Sequence, residues 1–209
     1  MALDLEEQEQ VEELKAWWKQ HGRLITAVVL AAALGFAGWQ LWRWYQSSQA
    51  AQASVLYDTV VKGAQANDAK ALRDAAGSLV ENYPRTLYAS MGALVAARHY
   101  FDRNDLKAAK AQLQWVLERA PSEDFRDLAR LRLAAVLLDE KAHDEALKLL
   151  EAKPAAAYEA QYAALRGDIL VAKNQAAEAK AAYKLALEKA GSDAAFQESV
   201  RMRLEALGG

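Results

Sequence analysis

Nineteen consecutive residues, Leu24 to Trp42 (LITAVVLAAALGFAGWQLW), contain no Asp, Glu, Lys, Arg or His. As a helix they cover roughly 28 Å at about 1.5 Å per residue. That nearly matches the ~30 Å hydrocarbon core of a bilayer. A helix also satisfies its own backbone hydrogen bonds, which lipid cannot do. One transmembrane helix is therefore predicted. Gln40, the only strongly polar side chain, lies near one end. Trp39, Trp42, Trp44 and Tyr45 gather at the C-terminal boundary, where amphipathic rings anchor at headgroup level.

The small-x-small run Ala51-Gln52-Ala53 raises the rival of a cleaved signal peptide. The apolar run exceeds the ~7–15 residues of a signal core. It follows a long tail carrying Asp4, Glu6, Glu7, Glu9, Glu12 and Glu13, and the cleavage-like site lies past the aromatic anchor. The sequence thus predicts an uncleaved anchor. Lys15, Lys19 and Arg23 precede the span and Arg43 follows it. The bias of Lys and Arg places the N-terminus in the cytoplasm and the long C-terminal part outside.

The organisation predicted is a cytoplasmic tail (1–23), a span with its interface anchor (24–45), a connector (46–54) and a helical repeat domain (55–209). In the tail, Val11, Leu14 and Trp18 form one apolar stripe. A helix lying on the membrane and an extension of the spanning helix both fit, and Gly22 favours a break. Ala27, Ala31 and Gly35 offer a small-residue face for helix docking, although alanine is abundant here. Residues 46–54 read as a connector or as further helical turns.

From Val55 onward the chain repeats. NDLKAAKAQLQWVLERAP, HDEALKLLEAKP and AAEAKAAYKLALEKAG carry Ala109, Ala146 and Ala179 at one position, with Leu113, Leu150 and Tyr183 four residues later. SMGALVAARHYF, LARLRLAAVLL and ALRGDILVA precede them across polar breaks. Helix pairs at about 34 residues are the mark of tetratricopeptide repeats. An earlier pair, Val55–Gln65 and Lys70–Asn82, carries Leu72 where the small residue belongs, and reads as a degenerate first unit. SDAAFQESVRMRLEAL, with Phe196, Val200, Leu204 and Leu207 on one stripe, reads as a closing helix capped by Ser192 or Asp193. The fold predicted is all-α: one N-terminal transmembrane helix, then an α-solenoid of tetratricopeptide-like pairs and a C-terminal capping helix.

Chemistry is sparse. The chain has no cysteine, which removes disulfides, thiolate metal sites and cysteine nucleophiles. His21, His99 and His143 are not spaced as metal ligands, and no HExxH, GxSxG or phosphate-cradling loop occurs. From Gln46 onward there are 22 Lys plus Arg and 22 Asp plus Glu. The basic footprint of nucleic-acid binding is thus missing. The sequence predicts no enzyme, cofactor or metal.

Tail, span and repeats together resemble the ancillary subunits of the bacterial Sec translocon. The resemblance rests on QVEELKAWWKQHG, the span ending GWQLWRWY, and the repeats with their closing helix. It implies a single-pass protein of the bacterial inner membrane with a periplasmic repeat domain. Its implied partners are Sec translocon subunits, a membrane-anchored periplasmic chaperone and exported client proteins, with a link to envelope stress signalling. The alternative is a structural scaffold or assembly factor of another envelope complex. The repeat pattern implies that first helices line a groove. Its candidates are Met91, Leu94, Arg98 and Phe101, then Leu128, Leu131 and Leu138, then Gln161, Asp168 and Val171. The apolar ones also fit simple packing between helices. Arg98 with Phe101 is the expected centre.

Overall fold

A computed structural model of the chain describes the backbone of residues 2–208 and the side chains of residues 10–208. Met1 and Gly209 lie outside that set, as do the side chains of the tail carboxylates Asp4, Glu6, Glu7 and Glu9. Every regular element among the described residues is helical. The first helix, α1, is Ala2–Gln65. The chain divides into two compact units at Ser48/Gln49.

In the first unit, α1 is uninterrupted at Gly22. The Trp18 ring lies over that glycine, so a Cβ there would meet it at 3.1 Å. The glycine therefore seats an aromatic ring instead of breaking the helix. The most apolar stretch of α1 has mean hydropathy 1.9 and none of it is buried in the protein. By length and composition it is able to cross a membrane. Residues 46–54 are helical, part of the same α1.

The second unit takes the last turns of α1, then α2 (Ala69–Asn82), α3 (Leu87–Asp102), α4 (Leu106–Arg119), α5 (Glu123–Asp139), α6 (His143–Leu149), α7 (Glu159–Ala172), α8 (Ala176–Lys189) and α9 (Ala194–Glu205). Four antiparallel pairs result, with α9 closing the last. Each pair turns on one left-handed residue: Asn67, Asn104, Lys141 and Asn174, all with φ near +60°. Their spacings are 37, 37 and 33 residues. The next residue sends its N–H back to the carbonyl of Gly63, Tyr100, Leu137 or Leu170 at 2.8–2.9 Å. This double-bonded turn is a Schellman motif, which satisfies carbonyls the helix end would leave orphaned. In the first two turns that residue is an aspartate that also caps the next helix. Asp68 accepts from the Lys70 and Ala71 amides, and Asp105 from the Ala108 amide. The closing helix is capped by Asp193, which accepts from the Phe196 amide at 3.0 Å.

Paired helices approach closely because side-chain sizes are matched across them. In three pairs a large residue on the first helix (Tyr100, Leu137, Leu170) shares a core with a fully buried alanine on the second (Ala109, Ala146, Ala179). The first pair reverses the sizes. Leu72 is fully buried and faces Gly63, where a Cβ would lie 2.9 Å from the Leu72 backbone nitrogen. The pair is thus a complete unit with its volumes exchanged, and total volume is what a core conserves. A second position grades in the same way. Val60 with Ala76, Ala97 with Leu113, Ala134 with Leu150, and Gly167 with Tyr183 each share or border one core.

The third pair departs from its neighbours. Its second helix, α6, has 7 residues where α4 and α8 have 14. HDEALKLLEAKP is therefore helical only to Leu149, and Pro154 opposes its continuation. The loop is held instead by Asp127 of α5, which is only 4% exposed. Its carboxylate accepts from the Ala155 amide at 2.8 Å and from Arg130 Nη1 at 2.6 Å. Tyr162 of α7 donates to the Asp127 carbonyl at 2.9 Å. This buried network locks α5, the loop and α7 together.

Candidate functional site

The groove candidates lie at repeat-equivalent positions on α3, α5 and α7, the first helices of consecutive pairs. Met91, Leu128, Leu131 and Leu138 are half-buried. Leu94 is 5% exposed and belongs to the central core. Gln161 and Val171 are exposed. Asp168 is already engaged within the chain. It accepts the Tyr183 hydroxyl at 2.7 Å and Arg203 Nη1 at 2.8 and 3.1 Å. It therefore ties the closing helix to the last pair. Burial first, and then donation to Asp168, push the Tyr183 phenol pKa upward.

Arg98 and Phe101 come together at one cleft. Ala97, Arg98 and Phe101 of α3, Leu113 of α4, and Arg132, Ala135 and Val136 of α5 enclose about 130 Å³. Phe101 is half-buried and packs on the cores of both neighbouring pairs. Arg98 is exposed and holds Asp102 one turn on, with Nε to Oδ2 at 2.8 Å. Both members of that pair are well exposed, 69% and 49%, so it contributes only about 0.3–0.5 kcal/mol. Across the cleft, Arg132 makes no hydrogen bond or ion pair among the described residues. Desolvation, then the charge of Arg98, hold its guanidinium pKa below the ordinary range.

Arg132 is the residue that repeat arithmetic passes over. Shifting by one repeat places it on Val95 in the preceding pair and Leu165 in the following one. Both neighbours are apolar, so the pattern marks the position as packing. A charge at an otherwise apolar repeat position is the signal that could have found it.

The anchor residues are all exposed: Trp39 51%, Trp42 53%, Trp44 70% and Tyr45 52%. Arg43 lies 4.8 Å from the Trp39 ring centroid, a cation–π contact. Of the histidines, His21 stacks on Trp17, His143 begins α6, and His99 is 8% exposed with Nε2 lacking a partner among the described residues. Burial, then the Arg103 charge, lower the His99 pKa, with Asp102 opposing. No group of three or more potential metal ligands occurs among the described residues.

The tetratricopeptide repeat-like domain model matches residues 15–209. A protein of Haemophilus influenzae named ancillary SecYEG translocon subunit is 32% identical, over 99% of this chain and all of its own length. A Neisseria gonorrhoeae protein of the same name is also 32% identical, with the same coverage. A third, from Escherichia coli, is 28% identical over 96% of each chain. Because these matches take in both the apolar span and the repeats, the chain belongs to the tetratricopeptide repeat-like family of ancillary SecYEG translocon subunits.

Proposed function

We propose that this chain is a non-catalytic adaptor anchored in the bacterial inner membrane beside the Sec translocon. The observation that carries the reading is the full-length match to relatives named for that complex, span and repeats together. The N-terminus lies in the cytoplasm and the repeat unit in the periplasm, as the three basic residues before the span and one after it favour. Trp39, Trp42, Trp44 and Tyr45 set the depth of the span at the outer interface. The α3–α5 cleft around Phe101 receives a partner at the exit of the channel: a periplasmic chaperone or an emerging client. Through that partner the protein bears on export and on envelope stress signalling.

A photo-reactive phenylalanine analogue at Phe101 of the full chain, irradiated in living cells, tests the groove. Gentle solubilisation tests the complex. Recovery of translocon subunits with a Phe101 adduct to a chaperone or exported chain is expected. Recovery of only a different envelope complex would establish the scaffold alternative. Orientation is read with single cysteines at Ser47 and Gln8 of this cysteine-free chain. An impermeant thiol reagent on spheroplasts labels the first and spares the second. The reverse pattern refutes the orientation.

A further inference from the structure

The α3–α5 cleft has an electrostatic imbalance that its own chain does not resolve. The two charged groups lining it are both arginines, Arg98 and Arg132. A second cleft, between the loop after α6 and the helices α7 and α8, encloses about 280 Å³ and is charged differently. There Lys153, Arg166 and Lys189 stand beside Glu151 and Glu159, and Lys189 is paired with Glu159 at 3.2 Å. In the α3–α5 cleft only Arg98 has a carboxylate, and that surface pair is one a better acceptor can replace.

We propose that the cleft binds an acidic–apolar peptide segment, with one carboxylate bridging Arg98 and Arg132 and an adjacent aliphatic side chain against Phe101, Leu113 and Val136. This rests on the groove reading above and adds the chemistry of its occupant. A guanidinium presents a planar fork that matches a carboxylate through two parallel hydrogen bonds. Desolvation, and after it the charge of Arg98, hold the Arg132 pKa down, and a bridging anion offsets the second of these. The enclosed 130 Å³ is of the order of an apolar cavity that takes one small hydrophobic group, about 150 Å³. The rest of the repeat unit argues against a polyanion. Its formal charges balance at 22 and 22, so no extended field gathers nucleic acid or an anionic membrane. The anion site is confined to two side chains flanking an apolar wall, and an amphipathic peptide suits that arrangement.

The test uses the full chain in detergent micelles and fluorescence anisotropy. The probe is a labelled octapeptide, Gly-Ser-Leu-Glu-Leu-Glu-Ser-Gly. One control replaces both Glu by Gln and another replaces both Leu by Ser. The probe is expected to bind saturably, with both controls weaker by about tenfold or more. Arg132→Gln and Arg98→Gln each weaken the probe by a similar factor while leaving the melting temperature in place, because neither residue belongs to the buried core. The comparison of the probe with its Gln isostere needs no variant, so it stands even if a substitution perturbs folding. Equal binding of these two peptides, or no saturable binding of the probe, overturns the proposal. So does an affinity unchanged by Arg132→Gln. A Phe101 adduct that persists alongside such a result leaves the groove reading intact and removes only its acidic specificity.

Discussion

Gly167→Ala tests whether matched sizes hold the helix pairs together. A Cβ at Gly167 would lie 2.4, 2.6 and 2.9 Å from Cε1, Cδ1 and Cζ of Tyr183. Ordinary carbon contacts are about 3.5–4.0 Å, so the ring must move by about 1 Å. Tyr183 is 2% exposed and its hydroxyl is bonded to Asp168, which also holds Arg203 of the closing helix. The ring therefore has little room to yield. Overpacking of this kind costs about 1–3 kcal/mol. Replacing a mid-helix glycine by alanine returns about 0.8–1 kcal/mol of helix propensity. The net expected is a loss of about 0–2 kcal/mol, or up to about 8 °C in melting temperature for a unit of this size. Tyr183→Leu alone opens space above Gly167 and removes a hydrogen bond to a carboxylate, and is destabilising by about 2–4 kcal/mol. The double variant recreates the Ala–Leu combination that the two preceding pairs already use. Its loss should fall short of the sum of the singles by about 1–3 kcal/mol. Thermal melts of the full chain followed by far-UV circular dichroism measure all four corners of the cycle. A melting temperature raised by Gly167→Ala, or singles that simply add, would show that size matching is not what sets the approach of α7 to α8.

Asp127→Ala strips the carboxylate from a buried pair and orphans the Ala155 amide. A loss of about 3–5 kcal/mol is expected in denaturant titration, and a loss under about 1 kcal/mol would remove its role as the lock of the third pair. Lys141→Asn places at the third turn the residue that the other three turns use at φ near +60°. It should stabilise by about 0.5 kcal/mol, and a lower melting temperature would contradict the turn assignment. His99 has a pKa below its ordinary 6.5, so the unfolded chain binds a proton before the folded one does. Its contribution to stability is full above that value and is lost as the pH falls below it toward the folded pKa. Melting temperature should decline on acidification below about 6.5, and His99→Gln should flatten that part of the profile. An unchanged slope in the variant would assign the decline to other groups.

Much of this fold was legible in the sequence because its signals are local. The uncharged run from Leu24 to Trp42 marks a membrane-length helix through composition alone. The helix pairs announce themselves through apolar spacing, and three of the four turns through an asparagine, which tolerates the left-handed conformation. The closing helix shows its stripe and its cap within sixteen residues. What the sequence left undecided depends on side chains that meet only after helices pack. Leu72 reads as a defect until Gly63 is found against it. Tyr183 fits because Gly167 has no Cβ. Gly22 is a local exception, since the Trp18 ring that covers it stands one turn back on the same helix. Asp168 looks like a groove charge, but packing of α9 brings Arg203 to it. Arg132 sits at an apolar repeat position, and its relation to Arg98 exists only because α3 and α5 lie side by side. Periodicity records which face of a helix is buried. It carries no record of which atoms across that face come within reach, and the core volumes, the buried Asp127 network and the paired arginines are all set at that range.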